Sequence, residues 1–205
     1  MKIPASTIKR LSIYYRQLLI LKEQKQGFIR SEKLAELCGV NSAQLRKDLS
    51  YFGSFGKRGT GYAVDSLMES ISKILGTDRI RSIVLVGVGS LGSALIAFAG
   101  FENQGFQFAA IGDSDPHKVG KTIRGHKCLD VAALLTKIKA EKIKMAILAV
   151  PASVAQSTAH QLIEHGISAI LNFAPVSLET PPSVQVSNID LSVELKSLSF
   201  FLKNQ

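Results

Sequence analysis

Fifteen residues, Ile83 to Ala97, constrain this chain more than any other stretch: Ile-Val-Leu-Val-Gly-Val-Gly-Ser-Leu-Gly-Ser-Ala-Leu-Ile-Ala. A β-branched apolar run stops at Gly87, glycines follow at the G-x-G-x-x-G spacing of Gly87, Gly89 and Gly92, and apolar residues then recur at helical spacing. The pattern predicts strand, tight turn and helix, the opening of a dinucleotide-binding βαβ unit. Each glycine has its own task in such a turn: the sharp bend at Gly87, the approach of a pyrophosphate at Gly89, and close helix–strand packing at Gly92. Val88, Ser90 and Leu91 complete the turn, and the first N–H groups of the helix are available to phosphate.

Glycine triplets also occur in ordinary βα turns, so the next element matters. Phe106 to Ile111 reads as a second strand that runs to Asp113, about 20 residues beyond Gly92 and therefore where a ribose-binding acid belongs. A carboxylate there accepts from the ribose hydroxyls and repels a 2′-phosphate, which favours NAD(H) over NADP(H). The polar loop after it, Pro116 to Gly125, brings Lys118, Lys121 and Arg124 near the adenosine end.

The alternation continues with a helix from Val131 to Lys139, a strand from Met145 to Val150, a helix from Ser153 to His165 and a strand from Ser168 to Leu171. That order is α/β and predicts a Rossmann-like, doubly wound parallel sheet with its ligand at the carboxyl ends of the strands. Val150 and Pro151 occupy one such end, and Asn172, Phe173 and Ala174 another. Asn188 to Leu202 reads as an amphipathic helix with too many apolar side chains to stand in water. It must dock on its own sheet or on a second subunit.

At 205 residues, 46% hydrophobic and 20% charged, the chain is of ordinary globular composition and long enough for two small cores. Its net charge of +9 is unevenly spread: residues 1–80 hold fourteen Lys and Arg against seven Asp and Glu, and the remainder eleven against nine. A basic head on a nearly neutral second domain suggests a polyanion partner for the head. Cys38 and Cys128 have no metal-ligand spacing and read as idle thiols in a reducing compartment. No apolar run approaches membrane-spanning length, so the expectation is a cytoplasmic protein with no membrane and no metal partner.

Within the head, a helix from about Ser6 to Gln24 carries Ile8, Leu11, Tyr15, Leu18 and Leu19 on one stripe, with Lys9, Arg10 and Arg16 elsewhere. Ser31 is placed to cap a short second helix with Leu34, Leu37 and Cys38 inward, which Gly39 stops. Asn41 and Gln44 form a capping box for a third helix, Ser42 to Phe52, whose inward stripe is Leu45, Leu49 and Phe52. Gln44, Arg46, Lys47, Ser50 and Tyr51 remain on its free face. This is a helix-turn-helix whose last helix fits a major groove of double-stranded DNA. Gly53 to Tyr62 follows, four glycines around Lys57-Arg58, and predicts a hairpin wing with a basic tip for the minor groove or phosphates. Arg10, Gln44, Arg46, Lys47, Ser50, Tyr51, Lys57 and Arg58 are the candidate DNA contacts. A further helix, capped by Ser66 with Glu69 reciprocating, ends at Gly76.

Two other classes compete. A small NAD(H)-dependent oxidoreductase with an accessory basic domain needs a general acid or base at the hydride-accepting carbon and normally a substrate domain. Neither is visible: His117, His126, His160 and His165 are scattered, no catalytic residue stands out, and no Cys or His cluster has zinc spacing. A sugar- or acyl-phosphate-responsive regulator is the other, against which Asp113 argues.

The run Ala43-Gln44-Leu45-Arg46-Lys47-Asp48-Leu49-Ser50-Tyr51-Phe52-Gly53, continuing into Phe55-Gly56-Lys57-Arg58-Gly59-Thr60-Gly61-Tyr62, closely resembles the hallmark of the Rex family of bacterial redox-sensing repressors. Segments Pro4 to Leu19, Gly87 to Gly92, Asp113 to Gly120, Leu171 to Pro175 and Asn188 to Leu202 are similar to that family's in the same order, so the resemblance covers the whole chain. It implies a winged-helix domain (1–78), a Rossmann domain (79–187) binding NADH and NAD+ competitively, and a C-terminal helix (188–205) exchanged between the subunits of a homodimer. It also implies an inverted-repeat operator released on NADH binding, and a coupling role for Arg16 and Asp190. The chain departs from the family pattern near the nicotinamide: Phe98 stands where some members have tyrosine, Leu191 where some have an aromatic residue, and Gly112 where a bulky residue precedes the acid.

Overall fold

A computed structural model describes residues 3–56 and 60–203. The chain divides into two compact units, residues 1–80 and 81–205.

The first unit is helical. Helix α1 (Ala5–Glu23) buries Thr7, Leu11, Tyr14, Leu18 and Leu21. This stripe is rotated from the expected one: Ile8 is exposed and Tyr14, not Tyr15, is the fully buried tyrosine. The rotation has a polar cause, because Thr7 and Tyr14 reach a buried carboxylate described below. Strand β1 (Phe28–Ile29) precedes α2 (Ser31–Leu37), in which Ser31 is the first helical residue and not its cap. Leu34 and Ala35 are the buried positions of α2, and Leu37 is exposed.

Helix α3 (Ser42–Ser50) is capped as expected, the Asn41 side chain accepting the Gln44 N–H at 2.7 Å. The reciprocal half of the capping box does not form, since the Gln44 side chain turns to Asp48. Strand β2 (Tyr62–Ala63) pairs antiparallel with β1, so the end of the wing segment closes against Phe28 and Ile29, while Gly56 lies against Gly61. Gly61 permits this, because a Cβ there would fall on the Ile29 carbonyl oxygen. Residues Lys57 and Arg58 at the expected basic tip lie outside the described residues. Helix α4 (Val64–Leu75) starts two residues before Ser66, whose carbonyl accepts from Ser70, and it ends at Gly76 as expected. The helices share one core, with Leu11, Leu18, Leu34, Leu45 and Ile71 wholly buried.

The second unit is a sheet with helices on both faces. It runs β3 (Arg81–Val86), α5 (Ser90–Ile96), α6 (Gly100–Asn103), β4 (Phe106–Gly112), β5 (Thr122–Ile123) and β6 (His126–Leu129). It continues with α7 (Val131–Ala140), β7 (Met145–Leu148), α8 (Ala152–Glu164), β8 (Ala169–Asn172), β9 (Gln185–Asn188) and α9 (Leu191–Lys203). Strand order is β5-β6-β4-β3-β7-β8-β9, all parallel except β5. From β3 the chain winds outward first to one side and then to the other, which makes β3/β7 the switch point of a doubly wound sheet.

Alternation along β3 explains the two layers. Val84 and Val86 join Leu134 and Ile138 of α7 and Ala155, Ala159 and Leu162 of α8, whereas Ile83 and Leu85 join Ile96, Ile111 and Cys128 on the opposite face. A strand buried on both sides reads as a continuous apolar run, and that is why β3 was legible. Three strands were not. Strand β5 falls within the segment read as a polar loop, and β6 and β9 were not anticipated; all three are short and lie toward the sheet's margins, where polar residues are tolerated. The last helix, α9, buries none of its residues; Leu195, Leu198, Phe200, Phe201 and Leu202 are each more than 60% exposed.

Candidate functional site

At the carboxyl end of β3 the backbone turns at Gly87 with φ +94°, a conformation that favours glycine. A Cβ at Gly87 would fall on the Ala149 carbonyl beyond β7, and one at Gly92 on the Gly87 carbonyl, so both glycines let backbones meet. Gly89 differs: a Cβ there would meet nothing within 4 Å. The turn thus has two packed glycines and one that faces open space, which is the division of labour a pyrophosphate site requires. Ser90 and the 41%-exposed Leu91 follow at the opening of α5. Val88 is not free to contact a ligand through its side chain or its N–H, because the side chain is core and the N–H is taken by Asp113.

Asp113 is buried just beyond β4. Its Oδ2 accepts the Val88 N–H at 2.7 Å and the Lys118 ammonium at 3.0 Å, and its Oδ1 accepts the Asp115 N–H at 2.9 Å. Burial opposes its charge, but the Asp115 N–H, Lys118 and the Val88 N–H outweigh burial and hold the carboxyl below its ordinary range. A carboxylate offers about four acceptor sites, so one remains on Oδ1, the number a ribose hydroxyl needs. Lys118 is itself raised by its bond to Asp113. It serves to hold the acid, and lies 3.7 Å from Asp115 as well.

The other strand ends divide. Val150 is half-buried and Pro151 exposed next to the Gly87 turn, while Phe173 is partly buried and Ala174 buried. Asn172, a candidate contact, has both ends of its amide engaged. Its Nδ2 donates to Ala174 O, Val176 O and Asn188 Oδ1, and its Oδ1 accepts the Ala174 N–H. It braces the loop after β8 against β9 and is wholly buried. Phe98 is 59% exposed and stacks edge-on against Phe101. Gly112 faces Leu134, whose methyl a Cβ would press.

In the head, Arg46, Lys47 and Ser50 lie exposed on α3 and Tyr51 half-exposed at its end, one outward face as expected. Arg46 sits 3.3 Å from both Ser31 Oγ and Glu32 Oε1. Arg10 is placed differently. Its Nε and Nη2 donate to the two oxygens of Asp48 at 2.6 and 2.7 Å, so its charge is matched inside the head. Asp48, wholly buried, also accepts from Thr7 at 3.0 Å, Tyr14 at 2.8 Å and Gln44 at 2.9 Å. Burial disfavours its charge, yet Arg10, Tyr14, Thr7 and Gln44 together pull its pKa down to about 2. Burial and the bond to Asp48 push the Tyr14 hydroxyl up. Sequence reasoning missed this hub, although a signal existed: Asp48 falls among Leu45, Leu49 and Phe52 on the inward stripe, where a charge must find partners.

Arg16 is exposed on α1, and Asp190 accepts the Ser192 N–H at 2.9 Å at the start of α9. Burial pushes the half-buried Cys38 thiol up to about 11, and Cys128 is buried in the sheet core. Among the described residues no group of three His, Cys, Asp or Glu is arranged to hold a metal, and no helix is long and apolar enough to cross a membrane.

A glycine turn at the switch point of a parallel sheet, an acid beyond the adjacent strand and a helix-turn-helix head together define a nucleotide-responsive DNA-binding regulator. Comparison with known proteins agrees. The family described as "CoA binding domain" matches residues 78–176, and that described as "Putative DNA-binding protein N-terminus" matches residues 2–50. The redox-sensing transcriptional repressor Rex of Syntrophobacter fumaroxidans is 47% identical over 202 residues, covering 98% of this chain and 96% of that protein. The crystal structure of RSP in complex with beta-NAD+ and operator DNA superimposes with a TM-score of 0.92 at 37% identity, covering 100% of this chain and 94% of that one. The complex of RSP with beta-NADH gives 0.89 at 35%, covering 100% and 96%. The chain belongs to the Rex family of redox-sensing transcriptional repressors.

Proposed function

We propose that this chain represses transcription from an inverted-repeat operator as a cytoplasmic homodimer, and that it lets go of the DNA on binding NADH, for which NAD+ competes. The observation that carries this reading is the pairing of Gly89, open to solvent, with Asp113, which keeps one acceptor free. The turn from Gly87 to Gly92 would hold the pyrophosphate and Asp113 the adenosine ribose, with Val150, Pro151, Phe173, Ala174 and Phe98 toward the nicotinamide. Relatives named for redox sensing support the same chemistry.

In the head, Arg46, Lys47, Ser50, Tyr51 and Gln44 would meet the major groove or its flanking phosphates, with Lys57 and Arg58 on the wing. The exposed apolar face of α9 supports exchange of that helix between two subunits, with a coupling role for Arg16 and Asp190. The chain turns nothing over: the ligand acts only through its differential affinity for two dimer states, one that matches half-site spacing and one that does not. An oxidoreductase is not favoured, since relatives aligned along the whole chain are repressors.

Reciprocity requires operator DNA to weaken NADH binding by the factor that NADH weakens operator binding. Titration of NADH with and without operator duplex tests this. Equal affinities would end the proposal.

A further inference from the structure

We infer that Asp48 sets the base specificity of the recognition helix by fixing the Gln44 amide, so that Gln44 reads adenine. The inference rests on α3 being the helix that enters the groove. Gln44 is the third residue of α3, in the N-terminal turn from which such helices address base edges, and that turn is held by the Asn41 cap. A glutamine amide has an acceptor end and a donor end, and one free to flip presents either.

Here flipping is blocked. Asp48 Oδ1 accepts from Gln44 Nε2 at 2.9 Å, and an ionised carboxylate only accepts, so the amide oxygen cannot take that place. Asp48 cannot swing to accommodate a flip, because it is wholly buried and also grips Thr7, Arg10 and Tyr14. The half-exposed Gln44 therefore keeps its oxygen and one N–H for an outside partner.

An acceptor together with a donor complements the major-groove edge of adenine, which offers an N6 amino donor and the N7 acceptor. Guanine offers two acceptors, one of which would oppose the Gln44 oxygen. Arg46 and Lys47 carry donors only and suit guanine or phosphate, so on this helix Gln44 is the residue that discriminates against guanine.

The test is selection of binding sites by the full-length chain from duplexes with randomised half-sites. The wild-type chain is expected to enrich adenine at one position of the half-site. Gln44→Ala should cut the adenine-over-guanine preference there by about tenfold or more, leaving the other positions unchanged. Asp48→Ala should weaken the preference at the same position. Gln44→Ala touches no buried contact except the one to Asp48, so it decides the matter even where Asp48→Ala does not fold. Unchanged preferences in Gln44→Ala, or loss of a preference for a base other than adenine, overturn the inference. A folded Asp48→Ala chain that keeps the adenine preference overturns the role of Asp48. A wild-type chain that selects no sequence overturns instead the reading of the head as an operator reader.

Discussion

The Val88 N–H donates to Asp113 Oδ2 at 2.7 Å across 25 residues of chain, so the glycine turn and the acid beyond the next strand are tied by one hydrogen bond. Turn and acid therefore move as a unit, and the site is shaped before any ligand arrives. This preorganisation lowers the cost of binding, because little conformational freedom remains to be lost.

The three glycines should separate by variant. Gly92→Ala forces a methyl onto the Gly87 carbonyl and should destabilise the sheet domain by about 1–3 kcal/mol, read as an earlier far-UV circular dichroism melt. Gly89→Ala has room for its methyl and should leave the melt unchanged. It should nevertheless weaken NADH binding by about tenfold, the loss of one charge-assisted contact to a pyrophosphate held away from the backbone.

Asp113→Ala removes both the ribose acceptor and the anchor of the Val88 N–H. NADH affinity should fall by about 10- to 100-fold, and the preference for NADH over NADPH should shrink because no carboxylate is left to repel a 2′-phosphate. Fluorescence titration with both nucleotides measures this. Intact selectivity would assign the ribose to another group.

Lys47 and Arg10 are both basic residues of the head, yet they should respond differently. Lys47→Ala should weaken operator binding and reduce the salt slope by about one, as one phosphate contact disappears. Arg10→Ala strands the buried Asp48 charge and should cost about 3 kcal/mol of head stability with the salt slope unchanged. All four tyrosines, Tyr14, Tyr15, Tyr51 and Tyr62, lie in the head and the chain has no tryptophan, so intrinsic fluorescence follows the head alone.

Acid should expose the Asp48 cluster. The folded pKa of about 2 lies below the ordinary value of 3.8, so the carboxylate stabilises the fold above that ordinary value, and the stabilisation is lost as pH falls through the folded pKa. Between pH 4 and pH 2 the head should lose about 2 kcal/mol from this group. Asp48→Asn, less stable at neutral pH, should show a flatter acid limb in tyrosine fluorescence melts. Parallel limbs in the two proteins would remove Asp48 from the account.

Leu198 of α9 is 61% exposed and touches no buried core, so Leu198→Glu should leave the sheet melt within about 0.5 kcal/mol of wild type. Sedimentation equilibrium should instead show the dimer shifted toward monomer. A dimer of unchanged strength would locate the subunit contact elsewhere.

Much of this protein could be read from its residues. The glycine spacing, the apolar β-branched runs and Asp113 announced a doubly wound sheet with a nucleotide turn, because a strand buried on both faces and a backbone without Cβ atoms are local demands that only a few residue types meet. The Asn41 cap and the Leu45 and Leu49 stripe likewise announced α3. What neighbours in space supply was not legible. Arg10 and Arg46 look alike as letters; Asp48 engages the former and leaves the latter outward, and only the packing of α1 against α3 decides that. Asn172 resembles a ligand contact until Ala174, Val176 and Asn188 are seen to use its amide. Strands β6 and β9 owe their existence to the partners beside them, since four residues of mixed polarity carry no periodicity of their own. A side chain's identity sets what it is able to bond, and the tertiary fold decides which of those bonds are already made.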